Sequence, residues 1–348
     1  MNQDSALTTL HKDTINIAAK HISAILSLAI QHTAEQTAIV VYDMQCPLSI
    51  ILMEAYRLCL PTATFIHFET SSPADILAKF AELKPRDLVV LIQSTSFRLE
   101  AFRIRIELFN KSLKVIEHPH LARMQGEEIK YYIDALAYDP AYYRDTGYAL
   151  KKLIDNAKTG IVDSGGAQLV FDSPFEDAKL NIGDYSQMKN IGGQFPIGEV
   201  FTESKNLESV NGRIRIFAFG DTTFSVNVPN KPITLIIKNG RVTDTCDSTP
   251  EFDIVLENIR ADEGQVWLRE LGFGLNRAFS QHRTVIDIGT YERMCGVHLS
   301  LGAKHSVYKK PLINRTTAWH HVDVFALTNL VYLDDRIVYQ DGAWVLPH

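Results

Sequence analysis

Thr37-Ala38-Ile39-Val40-Val41-Tyr42-Asp43 is a nearly continuous run of β-branched and apolar residues, and its reading decides the fold. A run without polar alternation suits a strand buried on both faces, as in a parallel sheet covered by helices. Upstream, Ile15, Ala18, Ile22, Ile25 and Ala29 recur at helical spacing and predict a helix over residues 14–33. Downstream, Pro47 opens a predicted helix over 47–58, where proline is tolerated in the first turn. Strands are expected at 62–68, 87–93 and 113–117, with a helix at 72–83 between the first two. Strand and helix alternate at the period of βαβ units, which predicts a doubly wound parallel sheet. The first turn after a strand, Tyr42-Asp43-Met44-Gln45-Cys46-Pro47, carries no Gly-x-Gly-x-x-Gly, so a dinucleotide site has no support. Helices at 126–136 and 140–157 close this half.

The texture changes near residue 159. Short alternating strands punctuated by glycine follow, at 167–171, 213–219, 224–228 and 233–237. Asn239-Gly240 is a strong hairpin signal, and Asp341-Gly342 offers a second. One helix is expected around 251–258. The predicted organisation is an α/β domain over 1–159, doubly wound and parallel. A β-rich, partly barrel-like domain follows over 160–348.

The chain has 348 residues, enough for two domains, with ordinary hydrophobic (46%) and charged (22%) fractions. A net charge of -6 argues against a nucleic-acid partner, which wants a basic face. Cys46, Cys59, Cys246 and Cys295 form no CxxC pair and read as free thiols. Residues 1–13 show no basic-then-apolar signal, and no apolar run is long enough to span a bilayer. A cytoplasmic protein with no membrane partner is the expectation.

The chemistry gathers late in the chain. Of twelve histidines none lies between Leu121 and Gln281, and five of the last six fall between His282 and His321, which points to that stretch. His298 sits in a strand-like alternation opposite in facing to Val297 and Leu299. His321 and Asp323 stand two apart, so on a strand they share a face. A carboxylate in such apolar surroundings needs a partner. A structural His–Asp hydrogen bond and a metal ion both satisfy it. Glu270, before Leu271-Gly272-Phe273-Gly274, and Glu199, after Gly198, are further acids in apolar, glycine-flanked strands. Imidazole and carboxylate together suit a divalent metal.

In order and approximate spacing, several segments resemble the aminopeptidase T family of two-metal peptidases. They are Pro196-Ile197-Gly198-Glu199-Val200-Phe201-Thr202, Glu270-Leu271-Gly272-Phe273-Gly274-Leu275-Asn276, Glu292-Arg293-Met294-Cys295-Gly296-Val297-His298-Leu299-Ser300-Leu301-Gly302 and His321-Val322-Asp323. The resemblance covers the β-rich half and implies metal ligands at Glu199, Glu270, His298, His321 and Asp323, with Glu292 as catalytic acid. It implies two divalent ions, zinc or cobalt-like, a small peptide substrate and a homodimer. The family usually has tyrosine seven residues after the histidine matched by His298; here that place is His305, and nearby Tyr308 is the expected substitute. Lys309 and Lys310 are expected in solvent, unless one meets a substrate carboxylate. A rival resemblance, carried by His321-Val322-Asp323-Val324-Phe325-Ala326-Leu327 through Val331-Tyr332-Leu333-Asp334-Asp335, is to ring-cleaving dihydroxypyridine dioxygenases, which hold one Fe(II). That site needs histidine where this chain has Glu270. A third alternative is a relative that kept the fold and lost hydrolysis.

Overall fold

The computed structural model describes residues 3–97, 99 and 104–346, with side chains from Lys12 onward. The β-branched run forms the strand Ala38–Tyr42, in which every residue is buried. It lies inside a parallel sheet, between Thr64–His67 on one side and Leu88–Ile92 on the other. The sheet continues through Lys114–His118 to Ile191–Gln194, also parallel. The chain thus winds outward from its first strand, returns, and winds the other way, which is the expected doubly wound order. Ile39, Val41, Val89, Leu91 and Val115 point to one face, where Ile76, Phe80, Ile104 and Leu108 cover them.

The last strand of this sheet has no β signature, because Ile191-Gly192-Gly193-Gln194 is half glycine. Its glycine is required by contact. A Cβ on Gly192, whose φ is +96°, would lie 1.9 Å from the Val115 carbonyl oxygen of the neighbouring strand.

By packing, the chain divides into Met1–Pro140 with Gly183–Ile197, and Ala141–Ile182 with Gly198–His348. It crosses between the units three times, whereas the sequence shows one change of texture near 159. The helix Pro140–Asn156 accounts for part of the difference. Tyr142 donates its hydroxyl to the Leu275 carbonyl (3.0 Å), and Asp155 accepts from the Ala178 amide (2.8 Å), so most of this helix belongs with the β-rich unit.

The second sheet is built of antiparallel pairs and curls into a half-barrel. Asn239-Gly240 does join Ile233–Lys238 to Arg241–Cys246, and Asp341-Gly342 joins Arg336–Gln340 to Ala343–Trp344. The helix Pro250–Glu263 is capped by the Thr249 side chain and ended by Gly264 in the left-handed region. Four successive strands of this sheet carry the candidate site: Glu199–Glu203, Leu268–Gly274, Gly296–Leu301 and Val322–Ala326. No helix among the described residues is long and apolar enough to cross a membrane.

Candidate metal centre

Residues directly opposite in an antiparallel pair share a face of the sheet. Glu199 is opposite Gly274, Gly272 is opposite His298, and Ser300 is opposite Asp323. With the period-2 alternation along each strand, Glu199, His298 and Asp323 therefore come to one face from three strands, and Glu270 comes from a fourth. Gly272 leaves room for this convergence. A Cβ there would stand 2.0 Å from His298 Cε1 and 2.1 Å from Nε2, so the imidazole occupies the space a side chain would take.

His298 Nε2 lies 3.3 Å from Glu199 Oε1 and 3.3 Å from Glu270 Oε1. One ligand atom from each of Glu199, Glu270 and His298 falls within 4.8 Å of the others, and all three residues are buried. Asp323 is 5% exposed, and its Oδ1 is 3.1 Å from His321 Nε2. His321 stands at the rim with 31% of its side chain exposed. The structure brings four of the five expected ligands into the interior and sets His321 at their edge.

Burial alone would raise the Glu270 carboxyl. Hydrogen bonds from His298 and His305, and the charge of His321 and His298, instead hold it well below the usual carboxylate range. Burial opposes charge on His298, yet Glu199 and Glu270 raise it well above the ordinary imidazole value. His321 follows the same logic: burial opposes, and Asp323 with Glu270 lifts it to about 10. These carboxylates hold positive charge on both imidazoles. A site of that kind exchanges protons for a divalent cation. One orphaned atom fits the same reading: among the described residues His298 Nδ1 is buried with no hydrogen-bond partner. The donor set, three carboxylates and two imidazoles, is one that zinc and its neighbours accept.

Glu292 lies beside this group, at the end of the short helix Ile288–Tyr291. Burial pushes its carboxyl up to about 8, against the pull of Arg293. Arg293 Nη1 contacts both Glu292 and Glu199, the latter at 3.2 Å, and these anions keep the guanidinium charged despite its burial. Arg293 was not among the residues expected at the site. An arginine between two expected site acids, in the motif Glu292-Arg293, was the signal available.

Tyr308 is placed differently from the expectation. Its hydroxyl donates to the Asp177 carbonyl (2.7 Å), with the Phe201 carbonyl at 3.3 Å, and so is spent on main chain. His305 reaches the group instead, with Nε2 2.9 Å from Glu270 Oε2. Lys310 also departs from expectation. It is buried, pairs with Glu176 at 2.5 Å and Glu203 at 3.7 Å, and donates to the carbonyls of Ser204 and Lys205. Arg269, 2% exposed, pairs with the fully buried Glu203 and donates to the carbonyls of Ala303 and Tyr308. Lys309 is exposed as expected. Together Arg269 and Lys310 tie down the segment that carries His305. Ser300 Oγ accepts the Glu270 amide at 3.0 Å and fixes that strand position.

No protein-family model matches the sequence. No curated protein matches it either. The structure is similar to that of wild-type AmpT from Thermus thermophilus, with a TM-score of 0.57 and 13% sequence identity over 95% of this chain and 99% of the other. The chain has an aminopeptidase T-like fold.

Proposed function

We propose that this chain is a metal-dependent aminopeptidase. The observation that carries the reading is the convergence of Glu199, Glu270 and His298 on one buried point of an aminopeptidase T-like fold. Glu199, Glu270, His298, His321 and Asp323 would hold two divalent ions, zinc or cobalt-like. Bound ions of this kind supply a nucleophilic water at neutral pH and polarise a peptide carbonyl. Glu292, whose carboxyl burial pushes up to about 8, is the group that would take up a proton beside the site and pass it to the leaving amine. Arg293 keeps Glu292 and Glu199 oriented. Tyr308 serves the site through its backbone and ring, against His305, rather than through its hydroxyl. The substrate is a short peptide with a free amino terminus, and the enzyme acts as a cytoplasmic homodimer. The rival dioxygenase reading asks for histidine at the position of Glu270, and no observation favours it.

Hydrolysis tests the proposal. Protein stripped with a chelator and reloaded with zinc or cobalt should release the first residue of short peptides and leave amino-acetylated ones intact. Loaded protein that cleaves no peptide across a varied set would contradict it.

A further inference from the structure

The imidazole of His305 is held at both nitrogens. Nδ1 lies 3.1 Å from the Val307 amide and 3.2 Å from the Tyr308 amide, both N–H donors. A nitrogen that accepts from two N–H groups carries no proton of its own. The ring's proton therefore sits on Nε2, which lies 2.9 Å from Glu270 Oε2 and donates to it. The side chain is 2% exposed, so water offers it no alternative partner.

The backbone that presents those two amides is itself fixed. Arg269 holds the carbonyls of Ala303 and Tyr308, Glu263 accepts the Ala303 amide at 2.6 Å, and the Tyr308 hydroxyl is anchored on Asp177. To ligate a metal through Nε2, His305 would have to move its proton to Nδ1, into the face of two other donors. The segment forbids that tautomer.

We propose that His305 is a positioning residue: it donates Nε2–H to Glu270 Oε2, orients that carboxylate for metal, and is itself barred from ligating. The role rests on the metal-centre reading given above. It leaves Glu270 Oε1 facing His298 while Oε2 is steered from the other side.

Two substitutions separate the ring's two nitrogens. His305→Asn places an acceptor near Nδ1 and removes the donor to Glu270. His305→Gln places a donor near Nε2 and removes the acceptor for the segment. Affinity for Zn2+ alone, read by competition with a chromogenic chelator, should fall about 10–100-fold in His305→Asn, the usual cost of losing a ligand's orienting partner. His305→Gln should bind Zn2+ much closer to wild type. Nitrogen-15 histidine spectra should show His305 protonated at Nε2 and bare at Nδ1, both without and with Zn2+. Loss of the Nε2 proton on loading would make His305 a ligand and overturn the proposal. So would undiminished affinity in His305→Asn, or equal losses in both variants, which would assign His305 to the segment alone. Failure of the underlying reading looks different, because there wild-type protein would bind no Zn2+ at all. In that case the spectra of the metal-free protein still decide the hydrogen bond.

Discussion

Replacing Gly272 with alanine removes the space on which the His298 imidazole depends. The added methyl would meet His298 Cε1 at 2.0 Å and Nε2 at 2.1 Å. Unbonded carbons rest roughly 3.5–4.0 Å apart, so the ring must retreat by about 1.5 Å. It has little freedom to do so without cost, since His298 is fully buried in a strand whose every residue is buried. Retreat carries Nε2 away from the two carboxylate oxygens it now meets at 3.3 Å each. Overpacking of this size costs about 1–3 kcal/mol of stability. Displacement of a ligand by more than an ångström should weaken metal binding by about tenfold or more, as loss of an orienting contact does. Urea unfolding of the metal-free protein reads the first quantity, and zinc competition titration reads the second. A folded Gly272→Ala protein with wild-type zinc affinity would refute this account of how His298 is placed.

Three further substitutions test other parts of the account. Arg269→Met leaves Glu203 fully buried with only Lys310 at 3.7 Å, and should lower unfolding free energy by about 3–5 kcal/mol; a loss under about 1 kcal/mol would mean the pair does not hold the 303–310 segment. His321→Ala should remove one ion per chain while leaving the Glu199, Glu270 and His298 point occupied, and elemental analysis showing wild-type content would sink that assignment. His118 concerns pH. Tyr132 donates to the Phe195 carbonyl (3.0 Å) and so accepts from His118 Nδ1 (2.9 Å), which leaves Nε2 to accept from Tyr56 (2.8 Å). This neutral ring is fully buried, and burial pushes its value down to about 3. Because the folded value lies below the unfolded one, the unfolded chain binds the extra proton, and stability present above pH 6.5 is lost as pH falls toward 3. Between pH 7.5 and 5 the loss from this group is about 2 kcal/mol. His118→Phe should show a correspondingly shallower pH dependence of urea unfolding, and parallel curves would contradict the assignment.

The parallel sheet was legible where side chains crowd both faces, as in Ala38–Tyr42 and Leu88–Ile92. It was illegible at Ile191–Gln194, where two glycines pack by close backbone approach and leave no apolar pattern to read. The acids of the site could be seen in sequence because Glu199, Glu270 and Asp323 interrupt apolar strands, which is anomalous without a partner. Their shared face followed only from strand register, which sequence does not reveal across non-adjacent segments. The segment after Gly302 was least readable. Its lysines and histidine resemble a solvated loop, and only the tertiary anchors on Arg269 and Glu203 turn Lys310 inward and His305 onto Glu270. Tyr308 was expected in place of His305 on proximity in sequence alone. Backbone direction sends its hydroxyl to Asp177 instead.

The proposed metal centre of Glu199, Glu270, His298, His321 and Asp323 can be read by its metal content. The most direct test is elemental analysis of wild-type protein loaded with zinc or cobalt and desalted, beside Glu270→Ala treated the same way. Wild-type protein should retain about two ions per chain if it is a two-metal hydrolase, and the variant should lose stoichiometric metal. Wild-type protein that retains none, or a Glu270→Ala protein that retains as much, would contradict it.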